Sequence, residues 1–135
     1  MTEKPATRNN RGLKRVVNAY FHSISGIHSC FKTEEAFRQE CFLALLFIPI
    51  GLYLGQGFVE KFILCGVVIF ILVVELLNTA LERAIDRIST KEHSLSKDSK
   101  DMGSAAVFLS LFLAGLAWAI IGLPRLYDSI AGLIS

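Results

Sequence analysis

Three uncharged apolar stretches constrain this chain before any other feature does. Residues 41–58, CFLALLFIPIGLYLGQGF, contain no charged side chain. Residues 62–74, FILCGVVIFILVV, are equally uncharged, and with the ELLNTAL that follows they reach about 20 residues, enough to cross a bilayer core. Residues 104–123 are uncharged throughout and run into Pro124, where a missing N–H predicts the end of the helix. The expectation is an all-α membrane protein with three transmembrane helices, in helical segments 34–58, 62–87 and 101–123, forming one domain over residues 1–135. Composition agrees: 53% of residues are hydrophobic and 19% charged, against about 25% charged in soluble domains.

Basic residues give the orientation. Seven Lys or Arg precede the first span, Lys61 alone lies between the first two, five fall between Arg83 and Lys100, and Arg125 follows the third. The positive-inside rule then predicts a cytoplasmic N-terminus and second connection, with the C-terminus on the opposite side. No apolar core with a cleavage site occurs in the first 40 residues, so the first span itself would direct insertion rather than a removable signal. Cys30, Cys41 and Cys65 are odd in number and lack CxxC spacing, which reads as reduced packing residues. Neither His28 nor His93 forms ligand spacing with them, and no nucleic-acid partner is expected.

Residues 1–11 are polar and read as a disordered tail. From 13 to 31, apolar side chains at 13, 16, 17, 20, 21, 24, 27 and 31 recur with a helical period, predicting an amphipathic helix on the cytoplasmic membrane surface. Thr33 is the expected N-cap of the next helix, with Glu34 and Glu35 in its first turn. The polar segment 89–100 is expected to form a cytoplasmic cap. In the third span Ala106, Ser110 and Ala114 form a small-xxx-small stripe, the pattern that lets membrane helices approach closely, and with so few helices per chain a homo-oligomer is expected.

The segment VVELLNTALERAIDR, residues 73–87, carries the chemistry. Glu75, Asn78, Glu82 and Asp86 fall within about 80° of one another on a helix and extend over about 16 Å. A carboxylate at membrane depth costs at least about 2.5 kcal/mol on insertion scales, so Glu75 must face protein, partner or water. One explanation is structural: Glu75 and Asn78 bond between helices, while Glu82 and Asp86 pair with Arg83 and Arg87. The other is functional: a line of acceptors joins a lipid hydroxyl to a metal-bound phosphate donor in the cytosol, with Glu75 at the lipid and Glu82 at the metal. Mg²⁺ is commonly held by one or two carboxylates plus phosphate oxygens, and Glu34 is the candidate second ligand. Lys100 would offset phosphate charge and Asp101 would accept from a nucleoside. GxxxxGK[ST], GxGxxG, HExxH and serine-triad motifs are absent, so a nucleotide site here would be unconventional.

The blocks EEAFRQE (34–40), VELLNTALERAIDR (74–87) and KDMGSAAV (100–107) resemble the prokaryotic diacylglycerol kinase family in order and content. The resemblance implies a homotrimer of three-span subunits in the bacterial inner membrane, each with an N-terminal surface helix and with active sites at subunit contacts. It implies transfer of the ATP γ-phosphoryl group to the primary hydroxyl of diacylglycerol, giving phosphatidic acid. Glu75 then corresponds to the general base, and Glu34 and Glu82 to the pair that holds the Mg²⁺ of MgATP. Lys100 and Asp101 correspond to nucleotide-contacting residues, Asn78 and Ser104 to substrate-contacting ones, and Asp86 to a further polar residue of the site. Arg15 corresponds to a basic residue of the surface helix near substrate and nucleotide. Lys97 and His22 depart from the Gly and Tyr of familiar members. A second branch of the family phosphorylates undecaprenol, but EEAFRQE and DMGSAAV are closer to the diacylglycerol branch. A non-enzymatic membrane interaction protein is the remaining alternative, disfavoured because an inactive relative has no reason to keep intramembrane Glu75.

Overall fold

In the computed structural model, residues 12–88, 91 and 93–134 are described; the expected disordered tail at 1–11 lies outside them. Five α-helices follow in order: α1 (Leu13–Thr33), α2 (Glu35–Leu54), α3 (Gly57–Ile88), α4 (Ser94–Ala117) and α5 (Leu123–Ile134), with a π-helical turn at Trp118–Gly122 joining the last two. No strand occurs among the described residues. Three helical stretches are long and apolar enough to cross a membrane, one through α2, one through α3 and one through α4 to α5.

Helix α3 is the spine, packing against both α2 and α4. Its buried positions are Leu64, Val68, Glu75 and Thr79, a spacing of 4, 7 and 4 that puts one face inward. Phe37, Ala44 and Leu54 of α2 and Gly103, Ser110 and Ala114 of α4 meet that face. Most large apolar side chains point outward instead, among them Leu45 at 72%, Phe108 at 67% and Phe58 at 81% exposure. A soluble domain would bury them, whereas lipid solvates them without cost.

Of the small-residue stripe, Ser110 and Ala114 are buried against the rest of the chain, while Ala106 is exposed. The close approach it permits is therefore largely one within the subunit, between α4 and its own neighbours. The stripe gives no independent reason for an oligomer.

The reversal between α2 and α3 comes earlier than the apolar run suggests, at Gly55 and Gln56 rather than after residue 58. A Cβ at Gly55 would lie only 2.9 Å from the Lys61 backbone nitrogen, and Gly57 has φ +73°, a left-handed geometry that disfavours other residues. Glu60 then accepts a hydrogen bond from the Gln56 N–H at 2.8 Å. Thr33 is not the N-cap of α2: it ends α1, Glu34 takes the cap position in an extended conformation, and the Thr33 hydroxyl donates to Ser29 O and Glu34 Oε1. Nor does the segment before the third span stay a loop. The His93 ring nitrogen Nδ1 accepts from the Leu95 N–H at 3.2 Å and α4 begins at Ser94, placing Lys100 and Asp101 on a helix.

The expected stop at Pro124 does not occur. A widened π-turn precedes it and shifts the hydrogen-bond register, so Pro124 falls in the first turn of α5, where a missing N–H is tolerated. Trp118 anchors that turn: its indole N–H donates to Leu64 O at 3.2 Å, and its ring meets Phe47 edge-on at 4.8 Å.

Arg125 fixes α5 to the start of α3 through two bonds to Glu60, at 2.9 and 2.6 Å, with both side chains about a quarter exposed. Replacing Arg125 with Met is expected to lower stability modestly, more at low salt than at high, because a forked pair this accessible is still partly screened. Unfolding in detergent at low and high salt checks it; a loss insensitive to salt counts against the electrostatic account.

Candidate functional site

An elbow, not a loop, carries the first candidate residue. Helix α1 reaches the bundle at its C-terminal end, where Cys30 is 2% exposed and its thiol lies 3.6 Å from the Thr79 hydroxyl of α3. All three cysteines are free, as expected. Arg38 donates to Phe31 O and Lys32 O at 3.1 and 3.2 Å, satisfying carbonyls left open where α1 ends. The chain turns at Glu34 and enters α2. The Thr33 hydroxyl and then the Arg83 guanidinium of α3 hold the Glu34 carboxyl below its ordinary pKa, so it is ionised. Glu34 Oε1 accepts from Arg83 at 3.1 Å, while Arg83 also donates to Ser29 Oγ at 3.1 Å and to Thr33 Oγ1.

Glu75 is 7% exposed, within the buried face of α3. One turn on, Asn78 donates to Glu82 Oε1 at 3.4 Å, while its Oδ1 is buried without a hydrogen-bond partner. That oxygen sits against Gly103, where a Cβ would collide with it. The glycine of the KDMGSAAV block is thus what lets α4 approach Asn78.

Between α2 and α4, over α3, an open cleft of about 470 Å³ brings together Glu75, Asn78 and Ser104. Glu40 and Gln39 line it as well. Glu40 was not among the residues expected from sequence, yet its Oε2 is buried and unpartnered. Its signal was present: it is the last charge before the 41–58 run. From this cleft an apolar groove, sharing Glu40, Leu43 and Leu111 with it, continues between α2 and α4 to Trp118.

Most of the remaining candidates gather at the C-terminal end of α3 and the start of α4. Lys100 pairs with Asp86 at 2.5 Å, and Lys97 with Asp101 at 2.8 Å. Asp86 and Glu82 therefore do not pair with Arg83 or Arg87: Arg83 turns to α1 and Glu34 instead. Asp101 is exposed and does not line the cleft. Arg15 is exposed near the start of α1, about 22 Å along that helix from Cys30, so one chain does not bring it to Glu75. Glu34 and Glu82 both lie within electrostatic reach of Glu75. Among the described residues no three His, Cys, Asp or Glu side chains are grouped to hold a metal ion alone.

Known proteins resemble the chain over most of its length. The profile of the family described as prokaryotic diacylglycerol kinase matches residues 21–122. The chain is 43% identical over 107 residues to a diacylglycerol kinase of Haemophilus influenzae, covering 79% of this chain and 91% of that protein. It is 43% identical over 110 residues to that of Pseudomonas aeruginosa (82% and 89%), and 36% identical over 113 residues to that of Escherichia coli (84% and 93%).

Proposed function

This chain belongs to the prokaryotic diacylglycerol kinase family, and from that premise we propose that it transfers the ATP γ-phosphoryl group to the primary hydroxyl of diacylglycerol, giving phosphatidic acid at the cytoplasmic face of the bacterial inner membrane. One observation carries the reading: buried Glu75 and half-buried Glu40, with Asn78 and Ser104, line the head of a cleft whose apolar continuation runs to Trp118. Ser104 to Trp118 is about 21 Å of helix, past the mid-plane of a core about 30 Å thick. A lipid can thus keep its chain in the groove while its hydroxyl meets carboxylates.

Glu75 accepts the hydroxyl proton as the phosphoryl group transfers, the role of a positioned general base. Asn78, Ser104 and Glu40 orient the glycerol hydroxyl and its neighbouring polar atoms. Lys100, released from Asp86, and Asp101 contact the nucleotide, and Arg15 reaches it from a neighbouring subunit of a homotrimer. A loose phosphoryl-transfer transition state asks for positioning and charge neutralisation above all.

The donor set suits Mg²⁺ only when it arrives with phosphates. Glu34 and Glu82 offer two carboxylates near Glu75, and this ion usually takes one or two carboxylates plus phosphate oxygens and water. When bound, it would neutralise charge on the transferring phosphate. The outward apolar side chains of α1, Leu13, Val16, Tyr20 and Phe21 among them, support its placement on the membrane surface, and the basic-residue distribution supports a cytoplasmic N-terminus.

The test is phosphate transfer from ATP by purified protein in mixed micelles, offering diacylglycerol and undecaprenol separately. Mg²⁺-dependent formation of phosphatidic acid is expected. Activity on undecaprenol alone moves the chain to the other branch, and folded protein inactive on both lipids overturns the enzyme reading.

A further inference from the structure

The relation of Arg83 to Glu34 carries a consequence for which form of the metal the site accepts. Three carboxylates, Glu34, Glu75 and Glu82, interact through space near the cytoplasmic mouth. Their negative charge favours cations in general, although no three such side chains among the described residues are grouped to hold one alone. Here Arg83 sits on that charge: from α3, one residue beyond Glu82, its guanidinium donates to Glu34 Oε1 while also holding Ser29 and Thr33. The clamp is open to water, with the Arg83 side chain 46% and that of Glu34 35% exposed, so it can exchange partners.

We propose that Arg83 is the residue that makes this site select a metal–triphosphate complex over the free divalent cation. The proposal rests on Glu34 serving as a metal ligand, as read above. Without nucleotide, Arg83 neutralises Glu34 and occupies Oε1, so an incoming cation meets one fewer available anion and a repelling positive charge. A metal–triphosphate complex brings its own oxygens. Guanidinium binds phosphate oxygens in the same forked manner as a carboxylate, so Arg83 exchanges Glu34 for phosphate and frees the carboxylate for the metal. One ion pair is replaced by two, and only when both halves of the complex arrive together.

An electrostatic gate of this kind has a signature that simple bracing of the elbow lacks, because the two forms of the metal respond in opposite directions. Removing the charge in Arg83→Gln should raise KM for MgATP roughly tenfold, the loss of one charge-assisted contact. It should tighten Mn²⁺ alone, followed by electron paramagnetic resonance without nucleotide or lipid, by roughly threefold, the scale of an exposed ion pair. Arg83→Lys keeps the charge and should leave Mn²⁺ affinity near that of the unaltered protein while restoring part of the KM. In a Glu34→Gln background, Arg83→Gln should no longer tighten Mn²⁺, since its partner is gone.

If Arg83→Gln weakens both MgATP and Mn²⁺, the residue merely braces the elbow and the proposal is overturned; it is equally overturned if neither moves. If Glu34→Gln alone leaves both MgATP and Mn²⁺ binding unchanged, Glu34 is no metal ligand and the underlying site reading fails instead. Thermal unfolding of each variant in the same detergent separates these results from loss of the fold.

Discussion

Glu75→Gln is expected to lower kcat by roughly 10²- to 10⁴-fold, the range attributed to a positioned general base, while KM for MgATP stays within about threefold. The substitution keeps the shape of the side chain and removes its ability to take a proton. Glu75 is 7% exposed on the face of α3 that also holds Leu64, Val68 and Thr79, so its position is set by packing and survives the change. A buried carboxylate is also costly to the fold; the variant should unfold at the same temperature as the unaltered protein or a higher one. Steady-state kinetics in mixed micelles, beside a melting curve, read both quantities. If kcat stays within tenfold, the proton goes elsewhere, and Glu40, the other carboxylate lining the cleft, becomes the residue to replace next.

Gly103→Ala should be destabilising even though Ala is the better helix former by about 1 kcal/mol. The sign is decided by the neighbour across the α3–α4 contact. A Cβ at 103 would collide with Asn78 Oδ1, a buried atom without a hydrogen-bond partner. Moving Asn78 would also disturb its bond to Glu82. Overpacking of this kind costs about 1–3 kcal/mol, and because Asn78 and Ser104 line the cleft, activity should fall with stability. Denaturant unfolding of Gly103→Ala, Asn78→Ala and the double variant tests the cause. The alanine at 103 should do little harm once Asn78 Oδ1 is gone, and equal losses in both backgrounds would place the strain elsewhere.

The two substitutions show how unevenly the site was legible. Glu75 stood out because a carboxylate inside an apolar run has few explanations, and its alignment with Asn78, Glu82 and Asp86 follows from helical geometry alone. Glu40 did not stand out: it sits at the edge of its run, where a charge flanking a span has an ordinary explanation. Only the packing of α2 against α3 reveals that its carboxylate turns inward. Arg83 was hidden for the opposite reason. Four residues of charge and amide lie around it in the same helix, and local reasoning pairs it with Glu82 or Asp86 along α3, whereas the elbow after α1 brings Ser29, Thr33 and Glu34 within its reach.

Hydropathy and helical period were enough for three apolar spans, for the helix over residues 13–31, and for a polar stripe on the second span, because lipid leaves the backbone few choices and a period of 3.6 residues is intrinsic to the chain. Three short blocks of residues carried the resemblance to the family that the comparisons show. Tertiary structure alone decided where each helix ends and which ionic groups pair. The passage through Pro124, anchored by Trp118 on Leu64, and the Lys100–Asp86 and Arg83–Glu34 contacts all depend on neighbours on other helices. A local pattern describes one helix and carries no information about the approach of another, so the cleft between α2 and α4, formed from residues about 70 positions apart such as Ala36 and Val107, exists only once the spine has packed.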